Sequence, residues 1–174
     1  ENLVQFAVMG RVLAQVHLGA ADPAVGLLNI GEEPGKGRAL EKEAHALLGA
    51  APLRFAGNVE GRDLGRGSAD VVVTDGFTGN VLLKTAEGMA SSLSRLMLAS
   101  LGEDDPALQA ALPAVLPRLA GLRERFDPDT HGGAHLLGVR GTVVIAHGAA
   151  SRRGVANALL NKPGLKEITI SPRS

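Results

Sequence analysis

Apolar residues recur along this chain at two intervals, and each interval predicts a different element. Leu3, Phe6, Ala7, Met9, Gly10 and Leu13 follow the three-to-four-residue step of one helical face, so residues 1–18 are expected to form a helix ending near Gly19. Residues 25–30 are continuously apolar except for Asn29, as in a strand buried on both faces. The same reading gives a helix over 38–48, a second strand over 53–56, a third over 71–74 and a long helix over 81–101. A fourth strand is expected over 142–146, then a helix over about 151–160 and an edge strand in the weakly alternating tail 165–170. Strands that alternate with helices and lack a polar face predict an α/β fold, a mostly parallel sheet covered on both sides.

Between the third and fourth strands the pattern changes. Leu82, Ala86, Met89, Leu93, Leu96 and Ser100 are spaced 4-3-4-3-4, and Leu108, Leu112, Val115, Leu119, Leu122 and Phe126 repeat that spacing. Asp105 is suited to cap the second arm and Pro106 to open it. The whole chain, 1–174, therefore reads as one α/β domain portion carrying a helical hairpin insertion over about 81–126. The hairpin either packs on its own domain or projects to bury its stripe in a dimer partner or at a membrane surface. Pro113 and Pro117 would each cost about 3 kcal/mol inside an unbroken helix, so two short helices are expected, the second starting near Pro117.

Every expected strand ends in glycine beside a small polar or titratable residue. The first runs into Asn29-Ile30-Gly31 and on to Lys36-Gly37; the second into Gly57-Asn58; the third into Asp75-Gly76-Phe77-Thr78-Gly79-Asn80; the fourth into His147-Gly148. Carboxyl ends of parallel strands share one edge, where open α/β sheets bind ligands. The third turn feeds a helix whose first N–H groups lack helical partners and so suit phosphate, with Lys84 one turn inside. Each feature also has a plainer reading. The stretch from Gly31 to Gly37 is one residue short of a Walker A loop and has glycine where that loop needs Ser or Thr; it is otherwise a simple turn with Lys36 in solvent. Asp75 either acts on a ligand or caps its own turn. His147 is a site residue or a core histidine. His131, His135 and His147 have no accompanying carboxylate cluster, and no metal site is expected.

Composition narrows the classes. Forty-five per cent of the 174 residues are hydrophobic, enough for a core. Eighteen basic residues balance 18 acidic ones, and four Phe with no Tyr or Trp offer little for bases to stack on, so no nucleic acid partner is expected. Cysteine is absent, which excludes disulfides and thiolate nucleophiles. No apolar run reaches the roughly 18 residues of a membrane span. Glu1 opens almost inside the first apolar segment without a capping lead-in, which leads to the expectation that the chain belongs to a longer protein.

The strand-end motifs also carry a resemblance. Residues 25–37, Gly57-Asn58-Val59-Glu60-Gly61-Arg62-Asp63, residues 69–84, and the run from Leu136 through Gly141 to His147-Gly148 resemble, in that order, the PlsX family of phosphate acyltransferases of bacterial phospholipid synthesis. The likeness extends to about Leu160 and covers the C-terminal half of the family's length. It implies a three-layer α/β/α fold like that of phosphotransacetylase and isopropylmalate dehydrogenase, a homodimer, and a cytoplasmic location with peripheral contact at the inner membrane face, placed at about 106–126. It implies transfer of an acyl group from acyl carrier protein to inorganic phosphate, with no cofactor. His135 stands where the family's run has proline, and Ala149-Ala150 replaces a serine-containing turn.

That reaction suits the residues. Phosphate attacks the thioester directly, and the thiolate, with a pKa of about 8.5–9, leaves with little acid help. The protein must hold a dianion and stabilise an oxyanion. On this reading the N–H groups of Gly31, Gly37, Gly76, Thr78 and Gly79, with Lys36 or Lys84, hold phosphate. Asn29, Asn58 or Asn80 donates to the thioester oxygen, Asp75 orients a donor or takes a proton, and His147 is a secondary candidate. Arg118, Arg123 and Arg125 either dock the acidic carrier or anionic lipid, or are simply solvated. Two other readings stay open: a non-catalytic phosphate- or acyl-binding or dimerisation fragment, and a dehydrogenase-like enzyme of the same fold, against which stands the missing Gly-x-Gly-x-x-Gly after a strand.

Overall fold

The computed structural model describes residues 1–100, 110–117, 121, 127–148 and 150–160. They fall into two compact units, one holding residues 1–80 and the other beginning at Val81, and each is taken by itself.

The first unit is an α/β layer structure. Helix α1 (Asn2–Leu18) ends where Gly19 turns left-handed at φ 66°. Strand β1 (Val25–Asn29) follows, then α2 (Ala39–Gly49), β2 (Phe55–Glu60), a short 3-10 turn and β3 (Val71–Val73). The strands form a parallel sheet in the order β2-β1-β3, flanked by helices, consistent with a three-layer α/β/α fold. All five residues of the central strand are buried, which is why its sequence has no polar face. Val25, Leu27 and Val73 meet Leu3 and Ala7 of α1 and Ala44 and Leu48 of α2 in the core.

Two boundaries differ from the sequence reading. The second strand lies over Phe55–Glu60, so Gly57 and Asn58 belong to it instead of following it. The register passes from Val25 opposite Phe55 to Gly26 opposite Gly57, which makes Ala56 an extra residue. Gly57 absorbs this bulge at φ 90°, a conformation costly for any residue with a Cβ. The helix α3 (Gly76–Ser100) starts five residues earlier than its apolar spacing suggests, because a side chain caps it ahead of two glycines.

In the second unit, α3 continues with Met89, Leu93 and Leu96 all more than half exposed. Residues 110–117 are helical (α4 as far as it is described), so both Pro113 and Pro117 lie in a helical stretch, contrary to the expected break between them. Each proline lacks the N–H that would donate along this stretch. Helix α5 (Pro128–His131) packs on α6 (Arg152–Leu160): Asp129 accepts from the Ser151 N–H at 3.2 Å, and its carbonyl accepts from Asn157 Nδ2 at 2.8 Å.

The fourth strand is also corrected. β5 (Val144–Ile145) pairs antiparallel with β4 (Ala134–His135) in a separate two-stranded sheet, and Leu136 N–H closes the hairpin on the Val143 carbonyl at 2.9 Å. His147 therefore does not end a fourth strand of the parallel sheet among the described residues. The partner is a local segment whose glycine-rich sequence carries no strand periodicity. Asp105, Pro106, the three candidate arginines, most of the 108–126 stripe and the tail 165–170 lie outside the described residues.

Candidate functional site

At the carboxyl edge of the three-stranded sheet, two buried asparagines hold a loop. Asn29, last in β1, is 8% exposed; its Nδ2 donates to the Lys36 carbonyl at 3.1 Å and its Oδ1 accepts from Ile30 N–H at 2.8 Å. Asn58, in β2, is 7% exposed and donates from Nδ2 to the Glu33 carbonyl at 2.8 Å. The segment from Gly31 to Gly37 thus hangs from side-chain amides. Gly37 is required here: its φ is 88°, and a Cβ would come 2.6 Å from Asn29 Oδ1. Each asparagine spends one of its amide hydrogens on this task and keeps another. Asn58 Oδ1 is buried with no hydrogen-bond partner among the described residues. Lys36 is half-exposed, its Nζ 4.0 Å from Glu33.

Asp75 starts α3. Its Oδ1 accepts from Thr78 N–H at 2.8 Å and its Oδ2 from Thr78 Oγ1 at 2.7 Å, while its carbonyl accepts from Gly79 N–H at 2.9 Å. Both readings of the sequence meet here, because the capping carboxylate also binds Arg38 Nη2 at 2.7 Å. The Thr78 N–H, then the Thr78 hydroxyl and Arg38, hold its carboxyl far below the usual carboxylate range. Such a group is a fixed negative charge, better suited to orienting a donor than to taking a proton near neutrality. Two of the N–H groups proposed for phosphate, those of Thr78 and Gly79, are already committed to Asp75.

Arg38, which the sequence reading passed over, is the N-cap of α2. Glu41 Oε2 accepts its backbone N–H at 2.7 Å, and Glu41 also pairs with the guanidinium through Nε and Nη2. Arg38 in turn holds the Glu41 carboxyl low despite the burial that opposes it. An acidic residue three positions into a helix was the available signal, but arginine is no ordinary capping residue.

The low Asp75 carboxyl has a consequence for acid stability. Its folded pKa lies below the unfolded value of about 4, so its contribution is fully present above that value and is lost as pH falls through the folded one. D75N is expected to flatten the fall of melting temperature with acidification below pH about 4, read by thermal denaturation at a series of pH values.

In the second unit, Lys84 and His147 come together across 63 positions of sequence: Lys84 Nζ lies 2.7 Å from His147 Nε2. Glu87, one turn along, accepts from Lys84 Nζ at 3.0 Å. An ammonium has no acceptor, so a hydrogen bond at this distance runs from Lys84 Nζ to the imidazole nitrogen. Gly76, Thr78, Gly79 and Asn80 lie in the first turns of the same α3 that carries Lys84. Among the described residues there is no cluster of three metal-ligating side chains, and no helix is long and apolar enough to cross a membrane.

A family model described as "Fatty acid synthesis protein" matches residues 1–170. The chain belongs to the fatty acid synthesis protein family. Within it, the chain is similar to the phosphate acyltransferase of Thermus thermophilus, 50% identical over 174 residues that cover 98% of this chain and 52% of that protein. It is 47% identical over 159 residues to that of Elusimicrobium minutum, covering 91% and 46%. For Heliobacterium modesticaldum the figures are 49% over 158 residues, 91% and 47%. The chain thus spans about half the length of the curated relatives it matches, and the family match agrees with the resemblance carried by the strand-end motifs.

Proposed function

We propose that this chain forms part of an acyltransferase that moves an acyl group from acyl carrier protein to inorganic phosphate, giving acyl phosphate for phospholipid synthesis. The observation that carries this reading is its 47–50% identity, across at least nine-tenths of the chain, to proteins named phosphate acyltransferase. A phosphate oxygen attacks the thioester carbon, the C–S bond breaks, and the thiolate leaves and takes a proton from solvent. Lys36 or Lys84 would hold the dianion with the N–H groups of Gly31, Gly37 and Gly76. Asn29, Asn58 or Asn80 would spend a remaining amide hydrogen on the thioester oxygen, and Asp75 would orient a donor. His147 would keep the Lys84 ammonium aimed. A homodimer, a cytoplasmic location and peripheral lipid contact through about 106–126 belong to the same proposal.

The test is phosphate-dependent thiol release from palmitoyl-acyl carrier protein, followed with a thiol reagent; a chain without cysteine adds no background. Release with acyl phosphate seen by mass spectrometry supports transfer by this chain. The half-length match favours a second reading, a non-catalytic binding fragment. Release only when the remaining part of a relative is supplied supports that version, and no release in either case overturns the acyltransferase.

A further inference from the structure

The starts of α2 and α3 are tied together by one guanidinium. Arg38 Nη2 is shared between Glu41 and Asp75, two carboxylates on different elements, while Nε lies 3.1 Å from Glu41 Oε1. The Glu41 side chain is 10% exposed and so poorly hydrated, that of Asp75 is 25% exposed, and Arg38 is 61% exposed. Its Nη1 has no partner among the described residues, which leaves one edge of the guanidinium open.

The charges matter because this is the edge at which the proposed reaction needs a dianion. One arginine against two carboxylates leaves a single net negative charge, about matched by two helix starts each worth roughly half a positive charge. Without the arginine the same place would repel phosphate. A second element, the Gly31–Gly37 loop, is hung from strands of the same sheet by Asn29 and Asn58, so the edge is fixed before any ligand arrives.

We propose that Arg38 is a positioning residue for phosphate: by pairing with Glu41 and Asp75 it offsets their charge and admits a phosphate dianion to this edge of the sheet. The proposal rests on the phosphate-binding reading given above. It differs from a purely structural tie, in which Arg38 only joins two helices and its charge does not reach a ligand.

Titration of inorganic phosphate into the whole chain, by calorimetry at low salt with a thermal melt of each variant, tests it. R38Q is expected to bind phosphate at least about tenfold more weakly, the scale of one unit charge lost from a half-exposed site. R38K, which keeps the charge but not the fork, should stay within about threefold of wild type. R38Q/E41Q, which removes one carboxylate along with the arginine, should regain most of the affinity. Unchanged affinity in R38Q overturns the proposal. So does R38K falling as far as R38Q, or the double variant binding no better than R38Q, since a structural tie would not be mended by a second loss. If R38Q fails to fold, retained affinity in R38K supports the proposal and its loss overturns it. Absence of phosphate binding by the wild-type chain overturns the phosphate reading itself, and that result is distinct because no substitution is involved.

Discussion

Replacing Lys84 with alanine is expected to lower phosphate-dependent acyl transfer by roughly a hundredfold or more, the usual cost of deleting one preorganised group that stabilises developing charge. The expectation follows from how the ammonium is held. Glu87 and His147 take it from two sides, at 3.0 and 2.7 Å, and fix its direction without burying it. Its side chain is 61% exposed, so the lysine contributes little to the core and the melting temperature should barely move. The measurement is thiol release with and without phosphate, in whichever form of the protein turns over, alongside a thermal melt. Activity near wild type in K84A rules out a phosphate role for this lysine. Loss of both activity and fold would instead mark Lys84 as part of the second unit's framework.

The largest loss of stability is expected at Leu27. It is the middle residue of the central strand, fully buried, with α1, α2 and β3 all contributing side chains to the cluster around it. L27A should destabilise the chain by about 3–5 kcal/mol, because the removed methyl groups lose their burial and the surrounding sheet and helices cannot close the hole. A shift in the denaturant midpoint with an unchanged slope would show it. A loss below about 1 kcal/mol would mean that the sheet relaxes into the space, and that the core is looser than its burial suggests.

Much of the first unit was legible because its periodicities are unambiguous. The ends of α1, β1, α2 and β3 lie within about two residues of where spacing and caps put them. β2 was not, because Gly57-Asn58 reads as a turn, and only the pairing with β1 shows that the glycine bulges within a strand. The start of α3 was hidden by Gly76 and Gly79, poor helix formers overruled by the Asp75 cap. Pairing partners were beyond reach. Nothing in the spacing of residues 132–146 says that the segment folds back on itself. Lys84 and His147 were each singled out, but their contact spans too many residues for any local pattern to reveal. Arg38 was missed because one of the two carboxylates it joins lies 37 positions away. The family, by contrast, was visible in the strand-end motifs, which depend on sequence order and need no geometry.

Setting Ala56 outside the ladder also keeps Asn58 on the side of the sheet that it serves. Neighbours across a ladder point the same way, and Phe55 stands opposite Val25 while Asn58 stands opposite Leu27. Phe55 and Asn58 therefore share a face although three positions separate them, an odd interval that an unbroken strand would place on opposite sides. Were Ala56 paired within the ladder instead of set outside it, Gly57 would stand opposite Leu27 and Asn58 opposite Leu28, on the other face and turned from Glu33. The polar hook thus depends on the left-handed turn at Gly57 that admits the bulge as much as on the amide the bulge delivers.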